Sequence, residues 1–176
     1  AIIVTASGCG TTIKDYGHML RLDPDYAEKA ARVSGLAKDV TEFLSGLDLP
    51  AATSASGLKV AYHSACSMQH GQKVTKAPRS LLAKAGFAVL EVPEGHLCCG
   101  SAGTYNIMQP EIAARLKDRK VKNIESVAPQ AIATGNIGCI TQIGSGTGIP
   151  ILHTVQLLDW AYGGKKPAAL AGLDPS

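Results

Sequence analysis

Residues 131–144 read AIATGNIGCITQIG, and this stretch decides the fold class. A short β-rich run leads into a turn at Gly135-Asn136, and a helical pattern follows that contains Gly138-Cys139. Residues 1–14, AIIVTASGCGTTIK, align with it without a gap and are identical at six of the fourteen positions: Ala1/Ala131, Ile2/Ile132, Gly8/Gly138, Cys9/Cys139, Thr11/Thr141 and Ile13/Ile143. The simplest explanation is two copies of one strand–turn–helix unit.

The same alternation extends along the chain. The β-rich runs lie at 2–5, 58–63, 87–92, 131–134 and 149–152, and the helical patterns at 22–47, 78–85, 110–128 and 154–162. In the first helical pattern, apolar residues spaced by three and four run from Leu22 to Leu47, which predicts one helix about 35 Å long. Strand–helix alternation predicts an α/β fold, a Rossmann-like parallel sheet with flanking helices.

The segment 50–57, PAATSASG, is small and flexible and marks a boundary. We expect 1–50 to be the C-terminal half of a first module, 51–57 a linker, 58–164 a complete second module and 165–176 a C-terminal tail. The chain starts without Met, inside a run expected to be a buried strand. We therefore expect it to be the C-terminal portion of a longer polypeptide.

The composition excludes several classes of protein. Of 176 residues, 45% are hydrophobic and 18% charged, which is typical of a globular chain rather than a disordered or fibrous one. The net charge of +3 is too small to indicate a nucleic-acid partner. No apolar run approaches the roughly 20 residues that span a bilayer, and no signal-peptide pattern is present. We expect a soluble, cytoplasmic domain.

Five cysteines carry the functional signal: Cys9, Cys66, Cys98, Cys99 and Cys139. An odd number without a secretory signal argues against a disulfide framework, and the spacing does not fit a zinc finger. Each cysteine site follows one of the predicted strands. Because the carboxyl ends of parallel strands meet at one edge, where ligands bind, we expect the thiols to converge there.

The adjacent pair Cys98-Cys99 requires a tight turn, because neighbouring side chains on an extended strand point to opposite faces. Gly100 and Gly103 supply such a turn, and its backbone N–H groups can stabilise a thiolate or sulfide. A phosphate loop at Gly100-x-x-Gly103 is disfavoured because the Lys-Ser/Thr of a P-loop is missing. The turn therefore favours thiolate ligands.

At these cysteines the chain resembles the CCG (cysteine-rich) domain of glycolate oxidase iron–sulfur subunits, which is shared with heterodisulfide reductases and lactate-utilisation proteins. The resemblance covers nearly the whole chain, through motifs such as Tyr62-His63, His70-Gly71-Gln72, 98–103, Arg119-Lys120 and Leu157-Leu158-Asp159. It implies that Cys66, Cys98, Cys99 and Cys139 hold an iron–sulfur cluster, with [4Fe–4S] as the expected type. It also implies that Cys9 closes the first CCG motif together with residues outside this sequence.

The resemblance further implies a function in electron transfer. In that family, flavoprotein subunits oxidise glycolate or another 2-hydroxy acid, and the iron–sulfur subunit relays the electrons towards the respiratory chain. We therefore expect a subunit of an oxidoreductase that is not active alone and has no catalytic residue of its own. Its expected partners are the flavoprotein subunits and a ferredoxin-like domain of its own longer chain. The complex would lie in the cytoplasm or at the inner face of the membrane.

The sequence departs from relatives of the heterodisulfide reductase type near the ligands. Gln142 stands where their Cys-x-x-Cys motif ends, and Ser64 and Ser67 stand where Asp and His are common. The loss of one thiolate leaves the type of cluster open.

Four residues are candidates for supporting the ligands: His63, His70, Gln142 and Lys120. The two histidines could donate to a thiolate or could be ordinary loop residues, whereas His96 is expected at the surface. Gln142 could donate weakly to the site or be a solvated helix residue. Lys120 lies on the apolar face of the helix 110–128, where it could offset the charge of a cluster; extension to water along its stem is the favoured interpretation.

Two other classes of function remain. One is a zinc or thiol module that docks subunits without a redox role. The other is a thiol–disulfide oxidoreductase acting through Cys98-Cys99, which ranks last because a disulfide between neighbours is strained.

Overall fold

The computed structural model of this chain describes residues 1–54 and 57–173. In chain order its strands and helices are β1 (Ile2–Val4), α1 (Ser7–Met19), α2 (Ala27–Leu36), β2 (Ala37–Asp39), α3 (Val40–Leu44), β3 (Lys59–His63), α4 (Ala77–Lys84), β4 (Ala88–Leu90), α5 (Tyr105–Met108), α6 (Pro110–Glu125), β5 (Ala131–Thr134), α7 (Ile137–Gly144), β6 (Ile151–His153) and α8 (Thr154–Ala161). A π-helical turn, Ser67–Gly71, follows β3, and a 3-10 turn, Ala168–Leu170, follows α8. The α/β class predicted from the sequence is confirmed.

Four strands form the main sheet in the order β4-β3-β5-β6, and all neighbours are parallel. Every residue of β5 and all but the first of β3 are buried, as expected for strands covered on both faces. One face packs on α4 and α8 through Leu82 and Leu157. The other face packs on α6 and α7, and Cys99 and Cys139 belong to that layer. The sheet therefore places two of the cysteines in its core.

The remaining two strands form a small sheet that reproduces half of the main one. β1 pairs with β2 in parallel, Ile2 opposite Ala37, just as β5 pairs with β6, Ile132 opposite Ile151. Both second strands end in a capping box, with Glu42 three residues after Asp39 and Gln156 three residues after His153. The repeat predicted from residues 1–14 and 131–144 is therefore present in the backbone, and it extends through the following helix.

The prediction of one helix over 22–47 is wrong. The structure divides this segment into α2, β2 and α3, and Leu22 and Leu47 are 86% and 47% exposed. Two interactions outweigh the helical periodicity. β2 pairs in parallel with β1. Asp39 starts a new helix by accepting hydrogen bonds from the backbone N–H and the hydroxyl of Thr41.

The expectation that the chain begins in a buried strand is also wrong, because Ile2 and Ile3 of β1 are exposed. β2, α3, α5 and the π-helical turn were not predicted. The other elements for which bounds were predicted, β1, β3 to β6, α4, α6 and α8, occur within a few residues of those bounds. Residues 55–56 of the expected linker and 174–176 of the expected tail lie outside the described residues, and the module boundaries stay a prediction. Within 1–54 and 57–173, no helix has the length and apolar character needed to cross a bilayer.

The start of α1 docks directly on the main sheet. The backbone N–H of Ser7 donates to the carbonyl of Gly135 at 3.1 Å, and its hydroxyl lies 2.7 Å from that of Ser67. Thr11 donates to the carbonyl of Ser67, and Gln72 donates to the carbonyl of Ser7. These bonds join residues 7–11 to the segment that carries Cys66.

Candidate metal centre

The four predicted ligands share one cavity of about 250 Å³, here called the cysteine cavity. It is lined by Gly8, Ala65, Cys66, Ser67, Cys98, Cys99, Ala102, Gly103, Asn136 and Cys139. Its thiols come from segments that follow β3, β4 and β5, at the carboxyl edge of the main sheet. Cys9 is exposed on α1 and is not among the lining residues, although its neighbour Gly8 is. The convergence expected from the strand order is therefore present for four of the five cysteines.

The four thiols form a continuous chain of contacts. Cys99 donates to Cys139 over 3.3 Å between the sulfurs, and Cys98 interacts with both Cys66 and Cys99. Hydrogen bonding from Cys66 and Cys99 lowers the pKa of Cys98, and hydrogen bonding from Cys99 lowers the pKa of Cys139 to about 5. The pKa values of Cys66 and Cys99 are raised by the same pairs. In each pair, hydrogen bonding from one thiol favours the ionised form of the other, and a bound cation would favour ionisation of all four.

The predicted tight turn is present after Cys99. Gly100 and Gly103 have φ values of +90° and +67°, in the region that favours glycine. The backbone N–H of Gly100 donates to the sulfur of Cys98 at 3.3 Å. Asn136 donates to the sulfur of Cys139 at 3.5 Å. Both donors favour the thiolate form, which is the form that binds metals.

Sequence reasoning missed the role of Asn136, although a signal was available. Asn136 occupies the N-cap position of α7, and Cys139 is the third residue of that helix. Asn is a common N-cap residue, and the N–H groups of a first helical turn favour a negative charge. This position therefore suits a thiolate ligand.

His63 is the histidine that reaches the thiols. It is 2% exposed at the end of β3, and a ring nitrogen lies within 4.8 Å of the sulfurs of Cys99 and Cys139, which are also that close to each other. After the larger effect of Cys99, interaction with the His63 side chain also lowers the pKa of Cys139. His70 lies exposed in the π-helical turn, and His96 is exposed as predicted. Gln142 accepts a hydrogen bond from Asn106 at 3.1 Å through its side-chain oxygen.

Lys120 does not extend to water, so the favoured interpretation of this residue is wrong. It is 0% exposed, and its Nζ donates to the carbonyl of Glu94 at 2.8 Å. Arg119 and Asn123 on the same helix also bond to Glu94, so α6 fixes the loop that precedes Cys98. Burial lowers the pKa of Lys120, while the nearby thiols Cys66, Cys99 and Cys98 oppose that shift.

Lys120→Met tests this buried charge. We expect the metal-free variant to be more stable than the parent protein at pH 7, by about 1 to 2 kcal/mol, because the cost of burying a charge disappears. The folded-state pKa lies below the unfolded value of about 10.4, so the unfolded chain binds more protons between the two. The stability contributed by Lys120 therefore rises with pH through that window.

Urea unfolding between pH 7 and pH 10 measures the effect. The difference between the parent protein and Lys120→Met should shrink as the pH rises. Lys122→Met is the control, since Lys122 is exposed on the same helix. An equal pH dependence in both variants would contradict the prediction.

The residues present fit a thiolate-bound metal group. Four thiols with hydrogen-bond donors at two of the sulfurs are the ligands preferred by iron–sulfur clusters and zinc. Among the described residues, the group lying within 4.8 Å is His63, Cys99 and Cys139, and it does not include Cys66 or Cys98. A cluster with several metal atoms can span this wider arrangement more readily than a single tetrahedral ion.

Comparison with known proteins agrees with this geometry. Residues 60–144 match the CCG family, described as a cysteine-rich domain, so the chain contains a CCG domain. The chain is 42% identical over 161 residues to the glycolate oxidase iron–sulfur subunit of Escherichia coli K12. The aligned region covers 92% of this chain and 40% of that protein. It is 30% identical over 165 residues to lactate utilization protein A of Bacillus licheniformis, covering 89% of this chain and 69% of that protein.

A probable glycolate oxidase iron–sulfur subunit of Bacillus subtilis is 32% identical over 146 residues, covering 81% of this chain and 33% of that protein. The chain thus belongs to the family that contains the glycolate oxidase iron–sulfur subunits and lactate utilization protein A. It spans less than half the length of the two glycolate oxidase subunits.

Proposed function

We propose that this chain binds an iron–sulfur cluster of the [4Fe–4S] type in the cysteine cavity and transfers electrons within a glycolate oxidase-type oxidoreductase. The observation that carries the proposal is the cavity itself, where thiols from three strand ends meet and the sulfurs of Cys99 and Cys139 lie 3.3 Å apart. The names of the relatives support the iron–sulfur assignment and the class of substrate, a small 2-hydroxy acid.

The cluster ligands in this proposal are Cys66, Cys98, Cys99 and Cys139. When bound, the cluster supplies a carrier for single electrons. The chain supplies the ligands, excludes water and stabilises the charge. Cys99 and Cys139 are buried, whereas Cys66 and Cys98 are half-buried, so the shorter path for an electron to enter or leave passes these two residues. Gly100 and Asn136 donate to the ligand sulfurs, which favours the reduced, more negative state.

The partners in this proposal are flavoprotein subunits that oxidise the 2-hydroxy acid, together with a ferredoxin-like domain of a longer chain. Cys9 would then serve a first module completed by that longer chain. His70 and Gln142 stay candidates for indirect support of the ligands. We place the complex in the cytoplasm or at the inner face of the membrane. The chain is an electron-transferring subunit and is not expected to oxidise substrate alone.

Metal analysis after anaerobic purification and reconstitution tests the cluster. We expect iron and sulfide in comparable amounts, visible absorption that bleaches with dithionite, and an EPR signal in one of the two redox states. Two results would contradict the proposal. A colourless protein with bound zinc would indicate a structural zinc site instead, and a reversible two-electron couple without metal would indicate thiol–disulfide chemistry.

The zinc alternative has one specific observation in its favour. His63, Cys99 and Cys139 lie close enough together to ligate one ion with a fourth position left over. The same metal analysis therefore includes zinc, measured on protein prepared both with and without added iron and sulfide. Zinc that persists when iron and sulfide are in excess would favour this alternative.

A further inference from the structure

The feature that the four-cysteine assignment leaves unexplained is the imidazole of His63. It is 2% exposed, and its Nε2 is buried without a hydrogen-bond partner among the residues described. A neutral imidazole needs partners for both ring nitrogens, and leaving one unpaired in the interior is unfavourable. The Nε2 atom of His63 therefore needs a partner that the described residues do not provide.

The sheet register places His63 against the cysteines. His63 pairs with Thr134 at the end of β5, and the chain then continues into the helix that carries Cys139. Because side chains alternate along a strand, His63 shares the face of Ala61, which packs in the same core layer as Cys99 and Cys139. The imidazole is consequently part of the wall beneath the ligand sulfurs.

The distances suit ligation as well as hydrogen bonding. A ring nitrogen of His63 and the sulfurs of Cys99 and Cys139 lie within 4.8 Å of one another. Donors around a tetrahedral metal are separated by roughly 3.5 to 3.8 Å, given metal–sulfur and metal–nitrogen bonds of about 2.3 and 2.0 Å. A small inward movement would bring the imidazole nitrogen and one of these sulfurs to that separation around a shared iron atom. Imidazole is also the commonest nitrogen ligand of metals in proteins.

The other polar candidates are directed elsewhere. The side-chain oxygen of Gln142 is occupied by Asn106, and Asn136 uses its amide nitrogen to donate to Cys139. Lys120 uses its Nζ on the carbonyl of Glu94. His70 and His96 are exposed. Among these described residues, His63 is the one that combines burial, proximity to two ligand sulfurs and an unpaired nitrogen.

We propose that His63 is a direct ligand of the metal centre, which then has five protein ligands, four thiolates and one imidazole. A cubane [4Fe–4S] cluster offers four terminal positions, so this set requires a more open [4Fe–4S] cluster. This inference rests on the proposed function, because it requires a cluster in the cysteine cavity. A neutral imidazole adds no negative charge, so it raises the reduction potential relative to a thiolate in the same place. His63 would thus set the potential at which the subunit accepts electrons.

Pulsed EPR on the dithionite-reduced protein tests the ligation directly. Protein containing ¹⁵N-histidine is compared with unlabelled protein, and we expect a strongly coupled nitrogen that changes with the label. His63→Cys should keep its iron and sulfide, lose that coupling and shift to a more negative midpoint potential. His63→Gln should lose the coupling too. His96→Gln is the control, since His96 is exposed near Cys98, and it should retain both the coupling and the potential.

The outcomes separate this inference from the proposed function. If the parent protein binds no iron or sulfide after reconstitution, both the proposed function and the ligation by His63 are wrong. A bound cluster whose spectrum shows no strongly coupled, label-sensitive nitrogen overturns the ligation and leaves the proposed function standing. The same holds if His63→Cys has the potential of the parent protein. Because the labelling experiment uses the unmodified sequence, it decides the question even if the variants fail to fold.

Discussion

Cys99→Ser should lose the iron–sulfur cluster. Cys99 is 1% exposed, its thiol contacts Cys98 and Cys139, and its sulfur belongs to the group that could hold a metal with His63. A serine hydroxyl is a poor substitute for a thiolate towards iron. Mutation of a residue that only supports a metal ligand typically lowers metal affinity by roughly 10- to 100-fold. Because Cys99 is itself a ligand in this proposal, we expect Cys99→Ser to lower the affinity for the cluster by more than about 100-fold. Iron and sulfide counts after anaerobic reconstitution measure the loss.

Cys9→Ser is the matched control within the same 176-residue chain. Cys9 also follows a strand, but it lies in the first turn of α1, is exposed and does not line the cysteine cavity. We expect unchanged iron and sulfide in this variant. Urea unfolding of the metal-free proteins should place Cys99→Ser within about 1 to 2 kcal/mol of the parent, which separates ligand loss from unfolding. Equal iron in the two variants would argue against Cys99 as a ligand.

The position of the cysteine cavity could be predicted because it depends on chain order alone. Each cysteine site follows a strand, and parallel strands end at one edge. The tight turn at Gly100 was predictable for a similar reason, since adjacent ligands cannot both face one side of an extended strand. The position of the cavity and the turn can both be predicted without knowing which distant residues contact each other.

The helix predicted over 22–47 failed because its spacing of apolar residues is a local pattern, whereas β2 is held by pairing with β1, which lies far earlier in the chain. One local signal did contradict the long helix. Asp39 followed by Glu42 three residues later is a capping box, the usual mark of a helix start. Given more weight than the periodicity, it would have placed a break near residue 39.

The environments of Lys120 and His63 could not be read from the sequence. Lys120 is buried because the loop at Glu94 folds over α6 and presents a carbonyl to its Nζ. His63 is buried because β3 lies between β4 and β5 and its last residues are covered on both faces. Both results depend on contacts between segments far apart in the chain, and no spacing rule specifies them.

Gly100→Ala should destabilise the protein strongly. Gly100 has a φ of +90°, and a Cβ at this position would clash with the carbonyl oxygen of Ala113 on α6. That oxygen belongs to a helix backbone and cannot rotate away as a flexible side chain would. Backbone strain and overpacking together should lower the free energy of unfolding by about 3 to 5 kcal/mol, a large share of the roughly 5 to 15 kcal/mol of a typical domain. Urea unfolding of the metal-free protein measures this loss.

Gly103→Ala separates the two causes. Gly103 lies in the same turn with a φ of +67°, but a Cβ there would meet nothing within 4 Å. Strain alone should therefore cost about 1 to 2 kcal/mol. The difference in unfolding free energy between the two variants therefore measures the cost of the clash between the turn and α6. The close packing of the turn on α6 keeps Cys99 next to Cys139. If Ala113 limits the turn as the geometry requires, Gly100→Ala should also bind less iron than Gly103→Ala. Equal losses of stability in the two variants would mean that the turn can move away from α6 without cost.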